Sequence, residues 1–318
     1  MAASPSSTAT DGPGTGRAPT GPERLSVGEW VDVLKRAFKE FMKDDCMGLA
    51  QQIAFSSLLA FFPAMILLVG LLGLIDAYED LKEFLGVVAP GAVLEAIDTA
   101  QESAAGQDTA ASFAVVFGAF GAVWAASGAM NAVIKAVNAA YDRIETRPFW
   151  KVRLTAIVLV LASGFATAGL FLLIVFGGPI GEAIASRAHL GGAFELAWAI
   201  LRWPIAFATI LLFFALVYYA GPNFDQRSWK WITPGSLVGG VLWLALSGLF
   251  ALYTSFSDSY DKTYGSLAGG IILLLWLNYS AFALLFGAEL NSELDRQADL
   301  HAAGGEKAGL VKPGRRTR

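Results

Sequence analysis

Residues 264–294 read YGSLAGGIILLLWLNYSAFALLFGAELNSEL, and this stretch decides the fold. It opens with small residues and then stays apolar, with few interruptions, until it reaches Glu289. About 20 apolar residues in a helix cross the hydrocarbon core of a bilayer, whereas a surface helix of a globular protein keeps a polar face. The stretch therefore predicts a transmembrane helix.

Two polar residues interrupt this helix, Asn278 near its middle and Glu289 near its far end. Their separation is about three helical turns, so both side chains project from the same side. Polar groups at membrane depth usually face the interior of a bundle or a wet cavity. The helix therefore has a lipid-facing side and an inward side, and other parts of the chain must contact its polar residues.

The composition agrees with a membrane protein. Apolar residues make up 55% of the 318 residues and charged residues only 16%, whereas charged residues are about a quarter of a soluble domain. Cys46 is the only cysteine, and His189 and His301 are far apart, so neither a disulfide within the chain nor a zinc-finger site is predicted. We expect an all-α polytopic membrane protein without a cofactor.

The chain divides into four predicted regions. Residues 1–24 are rich in Ser, Thr, Pro, Gly and Ala and are predicted to be disordered, without the apolar core of a signal peptide. An amphipathic helix is predicted at 25–45, a six-span transmembrane domain at 46–296 and a basic cytoplasmic tail at 297–318. The spans are predicted near residues 48–75, 111–140, 154–176, 203–220, 234–256 and 264–294.

The predicted N-terminal helix has an apolar and a charged face. Trp30, Leu34, Phe38, Phe41 and Met42 share the apolar face, and most of the charged residues share the other. Such a helix is typical of a segment that lies on an anionic leaflet. The alternative is an ordinary amphipathic helix packed on protein.

Basic residues predict the orientation. Lys and Arg are concentrated in the N-terminal segment, in the loops after the second and fourth predicted spans, and in the C-terminal tail. The other connectors carry few, and the connector at 76–110 is acidic. By the positive-inside rule, both termini are cytoplasmic and the acidic connector faces outward.

Several polar residues fall at similar depth near the predicted cytoplasmic ends of the spans. We hypothesise a polar vestibule formed by Gln51, Gln52, Lys135, Asn138, Asn278, Glu289 and Asn291. Lys135 and Glu289 would cost less as a pair than alone. The alternative is that these two charges reach the interface separately, while the amides bond neighbouring helices. On the outer side, Arg187, Arg202 and Lys262 could meet a lipid phosphate or act as plain interfacial anchors.

Several short motifs follow one another along the chain, and their order and spacing are specific. They are Ala54-Phe55, Phe62-Pro63, Asn138 with Tyr141, Arg202-Trp203-Pro204, Pro222-Asn223, Trp229, Pro234-Gly235, Trp243, Phe250 with Tyr253, Tyr264-Gly265-Ser266-Leu267, Trp276 and Gly287-Ala288-Glu289-Leu290-Asn291. With these motifs the chain resembles the YihY/BrkB family of bacterial inner-membrane proteins over about residues 30 to 295. The resemblance implies a multi-pass protein of the inner (plasma) membrane with a loose link to envelope integrity.

Part of that family once carried the label ribonuclease BN. A metal-dependent nuclease needs clustered carboxylates or histidines to hold its ions. The histidines here do not cluster, and the acidic connector is predicted to face outward, away from RNA. We therefore expect no nucleic-acid partner.

Three functions remain open. The first is a translocator of a lipid or another amphiphile, with Glu289 as a possible proton site and no nucleotide-binding P-loop. The second is a non-catalytic scaffold for envelope integrity. The third is an intramembrane enzyme, for which the spans offer no Ser-His pair and no HExxH motif. We favour a non-enzymatic translocator whose partners are membrane lipids, with anionic headgroups bound at the N-terminal helix and the C-terminal tail.

Overall fold

The computed structural model describes residues 27–74, 108–188, 191–224, 233–255 and 268–302. Within these ranges the chain forms α-helices and no β-strand. The helices are α1 (Val27–Lys43), α2 (Cys46–Leu74), α3 (Asp108–Ala140), α4 (Phe149–Val175), α5 (Gly177–Ala188), α6 (Gly191–Ala220), α7 (Pro234–Ser255) and α8 (Ala268–Ala302). The predicted disordered tail, most of the acidic connector, Lys262 and most of the basic tail lie outside the described residues.

Six of these helices, α2, α3, α4, α6, α7 and α8, are long and apolar enough to cross a membrane. Together with the amphipathic α1 they confirm the predicted all-α, six-span architecture. The six helices form a ring in chain order, because each packs on the next and α8 returns to α2. Helix α1 packs on α8, and α5 packs on α6.

The main core lies at one end of the bundle, where α2, α4 and α7 begin and α3 and α6 end. We call it the α1 end. Small and branched apolar side chains fill it, including Ala50, Val137, Val217 and Leu285. Helices α3 and α8 also touch each other there, across the ring. The polar residues discussed below are therefore held in a close-packed region.

Two helices begin well before the predicted spans, and α8 extends to Ala302 rather than ending at residue 294. Helix α4 begins at Phe149 rather than at residue 154, and α6 begins at Gly191 rather than at Trp203. Pro204, which follows the predicted start of the fourth span, lies inside α6. A membrane helix tolerates an internal proline because its neighbours and local adjustments satisfy the freed backbone groups.

The sequence favours a mixed connector with a short helix at residues 180–202, and most of α5 lies there. Helix α5 follows α4 directly and packs on α6. The indole Nε1 of Trp198 donates a hydrogen bond to the carbonyl oxygen of Gly177 at 2.5 Å. That bond ties the start of α5 to α6, so the described part of this connector is helical.

Helices α7 and α8 approach each other closely. A Cβ atom on Gly239 would lie 3.0 Å from the carbonyl oxygen of Ala283. One face of α7 thus meets the backbone of α8 at Gly235 and Gly239, which form the GxxxG pattern of the fifth span. Small residues at such a contact let two helix backbones meet.

Candidate functional site

Glu289 is buried inside the bundle, with 1% of its surface exposed. The Sγ atom of Cys46, the first residue of α2, lies 3.5 Å from Glu289 Oε1 and donates a hydrogen bond to it. A buried carboxylate is stable only when polar partners satisfy it. The contact therefore holds the start of α2 against α8.

Asn291, two residues further along α8 than Glu289, holds the start of α7. Its Oδ1 atom accepts a hydrogen bond from the Gly235 amide at 2.8 Å, and its Nδ2 atom donates to Thr233 Oγ1 at 2.9 Å. Thr233 and Ser236 also cap this helix reciprocally through their hydroxyl groups. The first amide groups of a helix lack partners within the helix, and Asn291 supplies one.

Asn138 joins the ends of α3 and α6. Its Oδ1 atom accepts from the Asn223 amide at 2.8 Å, and its Nδ2 atom donates to Glu145 Oε2 at 2.9 Å. Arg147 donates to both oxygens of Glu145, at 2.7 and 2.6 Å, and to the carbonyl oxygen of Gly221 at 2.8 Å. These bonds fasten the loop after α3 to the end of α6.

The contacts at the α1 end shift the pKa values of two side chains, Glu145 and Tyr141. Hydrogen bonds from Arg147 hold the pKa of the Glu145 carboxyl below its usual value, and Asn138 acts in the same direction. Burial raises the pKa of the Tyr141 hydroxyl, and the charge of Asp295 raises it further, whereas a hydrogen bond with Asn291 acts in the opposite direction. Tyr141 therefore stays a neutral hydroxyl beside these carboxylates.

A different group of polar residues lies on the outside of the bundle. Gln51, Gln52, Asn131 and Lys135 are all exposed, although they belong to helices that can span a membrane. The Nζ atom of Lys135 lies 3.4 Å from Gln52 Oε1. Asn131 and Lys135 are one turn apart on α3, so they share a face.

The same face of α3 continues to Trp124. Arg153, four residues into α4, places its guanidinium carbon 3.8 Å from the centre of the Trp124 ring. Its NH2 group also donates to the Trp124 carbonyl oxygen at 2.8 Å. The Nε atom of Arg153 is buried and has no hydrogen-bond partner among the described residues. We call Gln52, Lys135, Asn131, Trp124 and Arg153 the α3 track.

The structure thus divides the hypothesised vestibule. Asn138, Glu289 and Asn291 are buried in the α1 end, Gln51, Gln52 and Lys135 are exposed, and Asn278 is half-buried. Lys135 is placed beside Gln52 and Glu289 beside Cys46, so the two charges have different partners. The amides at 138 and 291 bond neighbouring segments, as the alternative interpretation expects.

The residues predicted to lie on the outer face belong to different elements. Arg187 is exposed near the end of α5. Arg202 is half-buried and lies over the Trp203 ring, 5.5 Å from its centre. Lys262 lies outside the described residues.

Arg153 and Trp124 were not predicted as site residues. Arg153 was assigned to the basic loop that sets the orientation, because α4 was predicted to start at residue 154. A signal was present in the sequence, since Pro148 precedes Phe149 and proline is common where a helix starts. Starting the helix there places Arg153 within the span.

The sequence matches the family described as virulence factor BrkB over residues 37–309. It is also similar to YfkH of Bacillus subtilis (strain 168), which is named as a ribonuclease-like protein, with 30% identity over 85% of this chain and 98% of that protein. No solved structure matches the chain significantly.

Other relatives match over smaller parts of their own length. A UPF0761 membrane protein of Xanthomonas campestris pv. campestris (strain B100) is 24% identical over 81% of this chain and 59% of its own length. A UPF0761 membrane protein of Idiomarina loihiensis is 28% identical over 36% of this chain and 43% of its own length. The chain therefore covers less than two thirds of these two relatives.

Proposed function

The chain belongs to the BrkB family of multi-pass membrane proteins, and from this premise we propose that it binds and moves an anionic amphiphile along the α3 track. The proposal rests on the position of Lys135 and Arg153 and on whether they have ion-pair partners. Both lie within segments apolar enough to span a membrane, and neither pairs with a carboxylate among the described residues.

Unneutralised cations within membrane-spanning segments are costly, and they usually pair with each other, face a wet cavity or reach the interface. Lys135 is exposed five residues before the end of α3, and Arg153, near the start of α4, rests on a tryptophan that is itself 50% exposed. An anionic headgroup at the surface of α3 would neutralise either cation, and phosphate is the anion that lysine and arginine both bind well.

The geometry favours an amphiphile over a free ion. The track is open to the outside of the bundle, where acyl chains lie, so a lipid can keep its tails in the hydrocarbon while its headgroup meets polar side chains. Eleven residues separate Trp124 from Lys135, which is about 16 Å along a helix, or about half of the hydrocarbon core. Asn131 and Gly128 lie on the same face between them, and a Cβ atom on Gly128 would have no neighbour within 4 Å.

The test is transfer of fluorescent phosphatidylglycerol between leaflets in proteoliposomes that hold the purified full-length protein. Lys135→Gln and Arg153→Gln each remove one cation of the track and should lower the transfer rate at least severalfold. Lys151→Gln is the matched control, because Lys151 is exposed near the start of α4 and lies over Trp150, away from Trp124. It removes the same charge and should leave the rate unchanged.

Two results would overturn this function. One is equal transfer in the wild type, Lys135→Gln and Arg153→Gln proteins. The other is no transfer of any lipid by the folded wild type, with or without a proton gradient, which would favour a non-catalytic envelope scaffold. The ribonuclease-like name belongs to YfkH, and we propose that this chain acts without catalysis.

We also propose that the α1 end faces the cytoplasm, with both termini on that side. The support is the distribution of basic residues, because Arg143, Arg147 and Lys151 all lie in or beside the loop after α3. A membrane-impermeant maleimide should label Ser186→Cys in intact cells but Ile144→Cys only after the membrane is opened. Both positions are exposed, and native Cys46 is buried. The reverse labelling pattern would invert the orientation.

A further inference from the structure

Residues of similar type recur at every fourth position of α1, and each such row of residues faces a different environment. Successive residues point about 100° apart around a helix, so residues four apart form a nearly straight row. The rows are Asp32, Arg36 and Glu40; Val33, Ala37 and Phe41; Leu34, Phe38 and Met42; and Lys35, Lys39 and Lys43. Two adjacent rows are therefore apolar, and a row of lysines follows them.

One apolar row contacts protein. Val33, Ala37 and Phe41 are buried against α8. Val33 and Ala37 pack with Leu290 and Leu294, whereas the Phe41 ring lies 6.1 Å from the rings of Phe282 and Phe286. The interpretation that this helix packs on protein is correct for this row, and Phe41 belongs here rather than with the predicted lipid-facing residues.

The second apolar row has no cover among the described residues. Leu34 is 37% exposed, Phe38 60% and Met42 52%, and the neighbouring Val31 is 42% exposed. Isolated apolar residues are common on protein surfaces, but a contiguous row of large ones marks an interaction surface. Because the protein contact lies about 100° away around the helix, this row faces outward from the bundle.

The depth of the row follows from its neighbours. Helix α1 runs antiparallel to α8, from Leu294 near its start to Phe282 near its end. Phe282 lies within an apolar span, and α2 begins at Cys46 after a turn of Asp44 and Asp45. Helix α1 therefore approaches the membrane boundary along its length, with Met42 deeper than Leu34.

We propose that the row Leu34, Phe38 and Met42 enters the headgroup region of an anionic leaflet, deepest at Met42. The row of Lys35, Lys39 and Lys43 lies beside it, on the side away from the protein contact, where long cationic side chains reach lipid phosphates. Lys43 also pairs with Glu40 at 2.8 Å, so Lys35 and Lys39 carry the charge contribution. Apolar side chains next to a row of lysines complement an anionic lipid surface in both polarity and charge.

The experiment places one spin label at a time on the full-length protein in phosphatidylglycerol liposomes. The labelled variants are Leu34→Cys, Phe38→Cys, Met42→Cys, Lys35→Cys and Lys39→Cys, and wild type is the background because Cys46 is buried. Relaxation by oxygen reports lipid, and relaxation by a water-soluble nickel complex reports water. We expect the oxygen-to-nickel ratio to rise from residue 34 to 38 to 42, and to be lower at residues 35 and 39 than at 34 and 38.

Equal ratios at residues 38 and 39 would overturn the proposal. So would exclusion of both reagents at residue 38 together with broadening between labels, which would show that a second copy of the chain covers the row. Exchange of phosphatidylglycerol for phosphatidylcholine tests the charge contribution. The ratio at residue 38 should fall in the neutral lipid, and an unchanged ratio would overturn the recognition of anionic lipid.

Discussion

The carbonyl oxygen of Gly287 on α8 occupies the space in which a side chain on Gly235 of α7 would begin. Next to this contact, Tyr218 on α6 donates its hydroxyl hydrogen to the carbonyl oxygen of Leu284 at 2.7 Å. Three helices therefore meet where two glycines remove the side chains that would separate them. This junction lies beside the buried Glu289 and Asn291, so its packing sets the position of the polar network.

Gly235→Ala should destabilise the protein by about 1–3 kcal/mol, because an added methyl group overlaps the backbone of α8. Thermal unfolding of the purified protein in one detergent measures the effect. Gly164→Ala is the control, since a Cβ atom on Gly164 in α4 would have no neighbour within 4 Å. Alanine favours the helix there, so that variant should be as stable as wild type or more so. Equal unfolding temperatures for both variants would contradict the close contact.

Glu289→Leu should lower stability by about 1–3 kcal/mol, because buried groups that bond the carboxylate lose their acceptor. Glu289→Gln keeps an acceptor oxygen for the Cys46 thiol and should stay within about 1 kcal/mol of wild type. Gln51→Leu is the exposed control and should change little. A Glu289→Leu protein as stable as wild type would show that the contact does not hold α2 to α8.

The same Glu289→Gln protein separates two pathways in the lipid-transfer assay. If headgroups move along the α3 track, transfer by this variant should match wild type, because Glu289 is buried away from that surface. If transfer is lost while the unfolding temperature is kept, Glu289 itself takes part in transport, for example as a proton site.

Stability should depend on Glu145 at acidic pH. Its pKa in the folded protein is lowered, chiefly by Arg147, so the ionised carboxyl stabilises the fold above its unfolded pKa of about 4.3. This contribution is lost as the pH falls below that value and through the lower folded pKa. Glu145→Gln should therefore be less stable than wild type at pH 7, with a smaller difference at pH 3. A constant difference between the two proteins would contradict this.

Arg36 and Glu293 join α1 to α8 at 3.1 Å, and Arg36 also donates to Gln297 Oε1 at 2.9 Å. Glu293 is buried, and Arg296 is its second cationic partner at 3.1 Å. Arg36→Gln should therefore loosen α1 without unfolding the spans, because one cation remains. Limited proteolysis should cut near α1 faster in this variant than in the control Lys39→Gln, which changes an exposed lysine. Equal cleavage rates would show that the buried row of Val33, Ala37 and Phe41 holds α1 on α8 without the ion pair.

Much of the architecture could be predicted from short-range patterns. Long apolar segments predict spans wherever they occur, because a bilayer requires every backbone polar group to be satisfied within the helix. The GxxxG pattern of Gly235 and Gly239 is typical of a close helix contact, and the amides at 138 and 291 were expected to lie at the ends of spans. These features depend on residues that are near each other in the chain.

The pairing of polar residues could not be predicted in the same way. Asn131, Lys135 and Asn138 form one stripe in the sequence, yet Asn131 and Lys135 are exposed and Asn138 is buried against Asn223. The division arises along the helix rather than around it, because the loop after α3 and the end of α6 cover Asn138 but do not reach Asn131.

Hydropathy and helical period are local properties, so the amino-acid sequence is enough to establish six membrane spans and a periodic amphipathic helix before the first of them. The contacts of Glu289 with Cys46 and of Arg153 with Trp124, and the outward position of Lys135, appear only in the folded chain. The physical reason is that the ring of helices sets which side of each span is core and which is membrane. That choice depends on contacts between residues far apart in the chain.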